Sequence, residues 1–135
     1  MKTLMLIIAG LLLGFAAGAD TPLRIGVAAV GSDVDALISD EASRAPYFLI
    51  FDQDGELIDA IENRDAADRR AGPQTARLLV DRGVTHYIAR QFGRNLIRAL
   101  DDAGIHRVEQ SGPARNAVHE LIGTWREDRK RDADE

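Results

Sequence analysis

One pattern that occurs twice does most to narrow the choice of fold: an amphipathic segment, a glycine, one apolar residue and a strand-like run. Thr75 to Arg82 reads as a helix with Leu78 and Leu79 facing inward; Gly83 ends it, and Val84 leads into a strand over 85–89. Asn95 to Ala103 repeats the reading with Leu96, Ile97 and Leu100 on one face, followed by Gly104, Ile105 and a strand over 106–109. A glycine just past a helix takes up the left-handed conformation that turns the chain, and the apolar residue behind it packs back on the last turn. Helices placed between strands in this way are crossovers, and crossovers join parallel strands.

The remaining elements fit around this pattern. Leu23 to Val30 is an apolar run of strand length, read as a buried central strand. Gly31 to Arg44 holds Asp33, Asp35, Ser39, Asp40, Glu41 and Ser43 among scattered apolar residues and reads as a long loop. Ordered loops of this length are usually functional. Tyr47 to Phe51 and Glu56 to Glu62 flank Asp52-Gln53-Asp54-Gly55, which predicts a β-hairpin. Asn63 to Pro73 has no periodicity and reads as a second loop. Ala114, Val118, Leu121, Ile122 and Trp125 fall on one face of a final helix. Arg126 to Glu135 contains charges and no large apolar residue, and reads as a fraying helix end and solvated tail. The expected architecture is an α/β fold with a five-stranded mixed sheet flanked by helices.

The first 19 residues carry a different signature. Lys2 precedes an apolar stretch from Leu4 to Phe15, and Ala17-Gly18-Ala19 supplies the small residues that a signal peptidase reads, so cleavage is expected before Asp20. The apolar stretch is shorter than the roughly 20 residues a membrane-spanning helix requires. The expectation is a signal peptide over 1–19, a domain over 20–125 and a charged tail over 126–135, with the mature protein periplasmic or secreted and without a membrane span. Removing Lys2 makes the formal net charge one unit more negative than the −5 of the full chain. An acidic chain without a basic stripe argues against nucleic acid as partner. With no cysteine, there are no disulfides and no thiolate ligands, so core packing alone stabilises the fold.

The order of signals resembles a known family. Ile25-Gly26-Val27-Ala28 leads through Asp35 and Ser39 to Arg44-Ala45-Pro46-Tyr47-Phe48-Leu49-Ile50. Ala71-Gly72-Pro73-Gln74 then opens a helix ending Asp81-Arg82-Gly83-Val84; Ile88-Ala89, Gly93, Asn95, Ala99-Leu100 and Ala103-Gly104-Ile105 complete the series. Over about residues 24–122 this is similar to the dinitrogenase iron-molybdenum cofactor biosynthesis family, the small carrier and accessory domains of nitrogenase assembly. The resemblance implies a ribonuclease-H-like five-stranded fold. It also implies a non-enzymatic protein that holds an iron–molybdenum or iron–sulfur cluster, or its precursor, and passes it on. Where the family commonly carries Ser-Pro-His-Phe-Gly, this chain has Ser39-Asp40-Glu41-Ala42-Ser43, with Glu41 in the histidine position. The family's glycine-rich stretches are Asp68-Arg69-Arg70-Ala71-Gly72 and Arg90-Gln91-Phe92-Gly93-Arg94-Asn95 here. Arginine and carboxylate thus replace softer donors.

In open α/β sheets ligands gather beyond the C-terminal ends of the strands, beside the point where strand order reverses. The loops 31–44 and 90–95 are expected to share that edge, and the second opens a helix whose free amides favour an anion. The candidate binding residues are Ser39, Glu41, Arg44, Arg90, Arg94 and Asn95, with Arg69 and Arg70 nearby, and the expected ligand is a small anion or metal complex. The plainer alternative is that these arginines pair with Asp33, Asp35, Asp40, Glu41 or Asp68 at the surface. Asp33, Asp35, Asp40 and Glu41 are also the oxygen donors that calcium or magnesium prefers, but their spacing is not that of an EF-hand.

His86, His106 and His119 lack the spacing of a zinc site, and His86 is the one that a strand could aim at the first loop. Nothing in the chain matches a nucleophile elbow or a P-loop, and the central strand carries no carboxylate for a two-metal nuclease. The expectation is an exported, non-catalytic binding protein. The competing expectation is an interaction module that has lost its cofactor and docks on an envelope protein through its sheet edge or the Trp125 helix.

Overall fold

The computed structural model describes residues 21–134, so the signal-peptide expectation for residues 1–19 lies outside the described residues. Five strands, β1 (Ile25–Ala29), β2 (Tyr47–Phe51), β3 (Leu57–Glu62), β4 (His86–Ala89) and β5 (His106–Glu109), alternate with three helices, α1 (Ala71–Asp81), α2 (Arg94–Ala103) and α3 (Ala114–Asp134). The sheet order is β3-β2-β1-β4-β5. β1 pairs antiparallel with β2 and parallel with β4; β2 pairs antiparallel with β3, and β4 parallel with β5. This is the ribonuclease-H-like mixed sheet.

Both helix stops form as the glycines require. Gly83 (φ 72) and Gly104 (φ 73) adopt the left-handed conformation. The Val84 amide donates to the Leu79 carbonyl at 3.0 Å and the Gly83 amide to Val80 at 3.0 Å; Ile105 and Gly104 repeat this with Leu100 (2.9 Å) and Asp101 (3.1 Å). Val84 and Ile105 are buried behind the turns. In the hairpin, Asp52 Oδ1 accepts from the amides of Asp54 and Glu56, both at 2.9 Å, and Gly55 takes the positive φ.

Two cores lie on opposite faces of the sheet. One joins Phe48, Ile50 and Tyr87 to Leu79 of α1 and Leu96 and Leu100 of α2; the other joins Ile25, Val27, Leu49 and Ile88 to Ala114, Val118 and Ile122 of α3. Every residue of β1 is buried, as expected of a strand covered on both faces. α1 approaches closely because Gly26 lies beneath it. A Cβ there would stand 3.1 Å from Leu79 Cδ2, 3.1 Å from Tyr87 Cδ1 and 3.4 Å from Val84 Cγ1.

Two expectations, the start of α1 and the state of the charged tail, need correction. α1 begins at Ala71, where the family resemblance opens it, and not at Thr75, where periodicity does, because Ala71-Gly72-Pro73 forms its first turn, where proline costs no hydrogen bond. The loop after β1 is held down: Ile38 bridges Ala29, Leu37 bridges Pro113, and the Ser39 amide donates to the Ala28 carbonyl at 2.7 Å. The charged segment after Trp125 stays helical to Asp134, with the guanidinium of Arg129 4.8 Å from the Trp125 ring centroid and Arg131 paired to Asp128 one turn earlier. Such pairs support a helix without a core. Among the described residues no helix is long and apolar enough to cross a membrane.

Replacing Gly26 with alanine should overpack this contact and lower unfolding free energy by about 1–3 kcal/mol. The check is a shift in urea midpoint at constant slope; an unchanged midpoint would show that α1 rides free of β1.

Candidate functional site

The chain leaves β1 toward β2 and leaves β4 toward β5, in opposite directions, so the crevice between these two strand ends is a topological switch point. The two loops meet there by main-chain bonds. Glu41 forms a parallel bridge with Gln91, the Ala42 amide donates to the Gln91 carbonyl at 3.1 Å, and the Arg90 amide donates to the Ser39 carbonyl at 3.2 Å. From below, the fully buried Tyr87 donates its hydroxyl to the Ala42 carbonyl. Burial pushes the Tyr87 phenol well above its ordinary range, so it remains a donor. The loop after β3 joins through Asn63, whose amide nitrogen donates to the carbonyls of Ser43 (3.0 Å) and Ala45 (2.9 Å).

Glu41, Arg44, Gln91, Phe92 and Gly93 line a depression of about 250 Å³ at this junction. Ser39, Asp40, Glu41, Arg44 and Arg90, with Val30 and Leu37, line an adjoining one of about 480 Å³. The rim carries paired charge. Arg90 bonds Asp40, Arg44 lies 3.7 Å from Glu41 and donates to the Ala66 carbonyl at 3.2 Å, and Asp35 is held by Arg115 of α3 at 3.4 Å. Ser39 is buried, and its hydroxyl is engaged with the Glu41 backbone (3.3 Å to the carbonyl oxygen).

Four of the six candidate residues are therefore brought together: Ser39, Glu41, Arg44 and Arg90. Arg94 and Asn95 are exposed on the first turn of α2 and line neither depression, and the Asn95 Cβ would lie 3.6 Å from a Cβ on Gly72. Arg69 and Arg70 are exposed and line neither depression either. What α2 offers the rim is its main chain: Gly93 caps it without a side-chain hydrogen bond. The start of α3 offers nothing comparable, because its Ala114 and Arg115 amides already bond the Ala36 and Val34 carbonyls at 2.8 and 2.9 Å.

The surface pairing weighed as an alternative is thus realised for Arg44 with Glu41 and Arg90 with Asp40, two of the four carboxylates of the calcium-like option. Among the described residues no three histidine, cysteine or carboxylate side chains could hold a metal ion together. His86 does not reach the first loop. It opens β4, at the other end of the strand from Arg90, where it pairs with His106 of β5. Tyr87, Gln91, Phe92 and Asn63 are the site residues that spacing does not announce. Tyr87 alone carries a signal, because a tyrosine in a buried strand needs a partner for its hydroxyl.

Fold and rim together define a ribonuclease-H-like α/β domain with a polar crevice at its switch point. The sequence profile of the dinitrogenase iron-molybdenum cofactor family matches residues 24–124, and the chain belongs to that family. Among solved structures it is similar to a candidate NifB protein from Thermotoga, at 32% identity over 73% of this chain and 86% of that one, with a TM-score of 0.65. The apo form of the orange protein from Desulfovibrio gigas shares the fold at 24% identity, covering 76% of this chain and 89% of that one, with a TM-score of 0.70. No curated protein sequence matches the chain.

Phenylalanine at position 87 would leave the Ala42 carbonyl without its buried donor and destabilise the protein by about 1–3 kcal/mol. Hydrogen exchange at the Ala42 amide should accelerate more than at strand amides; equal protection in both proteins would show that Tyr87 does not hold the loops together.

Proposed function

We propose that this chain is a non-catalytic binding domain that holds a small anionic ligand, an oxyanion or an anionic metal complex, at the rim between the β1 and β4 loops. The observation that carries this reading is the Glu41–Gln91 bridge, which sets Arg44 between two adjoining depressions, one lined by Gly93 at the head of α2 and the other by Arg90. Membership of the family supports a carrier or accessory role.

The donor set decides how such a ligand is held. An iron–sulfur or iron–molybdenum cluster held by direct ligation calls for thiolate or imidazole. The chain has no cysteine, and its three histidines lie outside the rim. Hydroxyl, carboxylate, guanidinium and main-chain amide remain, and these suit hydrogen bonding of an anion rather than coordination of iron. Exposed pairs such as Arg44–Glu41 contribute only about 0–1 kcal/mol, whereas a hydrogen bond to a charged group contributes about 1.5–3 kcal/mol. An incoming anion can therefore draw both guanidinium groups off their carboxylates at small cost. A serine nucleophile is disfavoured, because the Ser39 hydroxyl faces its own loop and His86 lies at the opposite edge.

A second reading has one observation of its own. Val30 and Leu37 are 51% and 56% exposed beside Arg44 and Arg90, which suits a protein partner docking on the same rim. That favours the rim over the Trp125 helix, where the ring is half-buried against the core and covered by Arg129. Export belongs to the proposal through the leader-like residues 1–19 and would be checked by sequencing the N-terminus of the protein recovered outside the cytoplasm.

Calorimetric titration with molybdate, sulfate and phosphate should show one site, and Arg90→Ala or Arg44→Ala should weaken it at least about tenfold. Absence of heat for every anion, with both variants equally silent, would retire the anion reading and leave the docking surface.

A further inference from the structure

At the edge of the sheet opposite the rim, two imidazoles share one corner. His86 and His106 are register partners on β4 and β5, with ring centroids 4.7 Å apart and ring planes inclined by 30°. They point to the α3 face, in step with Ile88 and Val108 of the second core. His86 is half-buried and His106 exposed on an edge strand. Neither takes part in the rim, and no fold requirement calls for two histidines side by side.

Local hydrogen bonding sets the chemistry of His86. The Thr85 hydroxyl accepts from the Arg24 amide at 3.1 Å, donates to the Arg24 carbonyl at 3.0 Å, and lies 2.9 Å from His86 Nδ1. With the hydroxyl proton spent on Arg24, Nδ1 supplies the hydrogen of the third contact, which leaves the free lone pair on Nε2. That is how protein metal sites orient a ligating histidine, through a bond to its other nitrogen. Burial, and then the neighbouring His106, hold the His86 imidazole below its ordinary range.

We infer that His86 and His106 form a two-imidazole site for a borderline divalent transition-metal ion, completed by water. Two metal–nitrogen bonds of about 2.0–2.1 Å span up to about 4.2 Å. The 4.7 Å separates ring centroids rather than nitrogens, and it places the two imidazoles near enough for both Nε2 atoms to reach one ion once the exposed His106 turns its ring. Imidazole suits copper, nickel and zinc, and with so few protein ligands the order of affinities places copper(II) first. The site stands apart from the anion crevice, and each survives failure of the other.

Copper(II) titrated into the full chain, followed by calorimetry and electron paramagnetic resonance, should give one equivalent bound with couplings from two imidazole nitrogens. His86→Ala and His106→Ala should each weaken binding about tenfold or more and leave a single-imidazole signal, whereas His119→Ala should change nothing. His106→Gln, at an exposed edge position, serves as the variant least able to disturb folding. Binding unchanged in the His106 variants, binding lost with His119→Ala, or no uptake at micromolar metal would each overturn the site.

Discussion

Hydrogen bonding of β1 on both sides is the constraint from which the rest of the structure follows. One edge accepts β2 antiparallel and the other β4 parallel, so the chain must depart from the two strands in opposite directions. That divergence opens the crevice, and the helix that follows β4 brings its N-terminus to it. Gly26, in the middle of β1, lets α1 settle close to the sheet through Leu79, and Gly72 lets the start of α1 meet α2, where a Cβ would lie 3.2 Å from the Leu96 amide nitrogen. Two missing side chains thus set the spacing of the layer that carries the rim.

The rim itself is held together by main-chain bonds and by one buried hydroxyl, with its charges arranged on top. Arg44 and Arg90 are paired with Glu41 and Asp40 of the first loop. Such exposed pairs are weak, and in the proposed role their weakness would let an external anion displace an internal carboxylate.

Legibility in the sequence was uneven for physical reasons. The sheet, its parallel half and both helix stops were readable, because glycine geometry and apolar period act within a few residues. Periodicity alone starts α1 at Thr75 because Gly72 and Pro73 look like loop residues when context is ignored; the family resemblance opens it at Ala71, and proline is at home in a first turn. The helical run past Trp125 was missed because it has no apolar face; ion pairs and a ring contact sustain it. At the rim, the two loops were identified, but Arg94 and Asn95 were assigned to the crevice on spacing alone. The direction of a side chain on the first turn of a helix depends on how that helix is rotated against its neighbours.

By itself, then, the chain determined which segments become strands and helices, where α1 and α2 stop, and that a loop after β1 and another after β4 would carry polar groups. Those outcomes depend on propensities and patterns local in sequence. Tertiary structure alone decided that Arg90 meets Asp40 some fifty residues away, that Tyr87 reaches up to Ala42, and that His86 stands beside His106 rather than at the rim. Such pairings are set by strand register and by the depth at which helices pack, and neither quantity is written in any short stretch of residues.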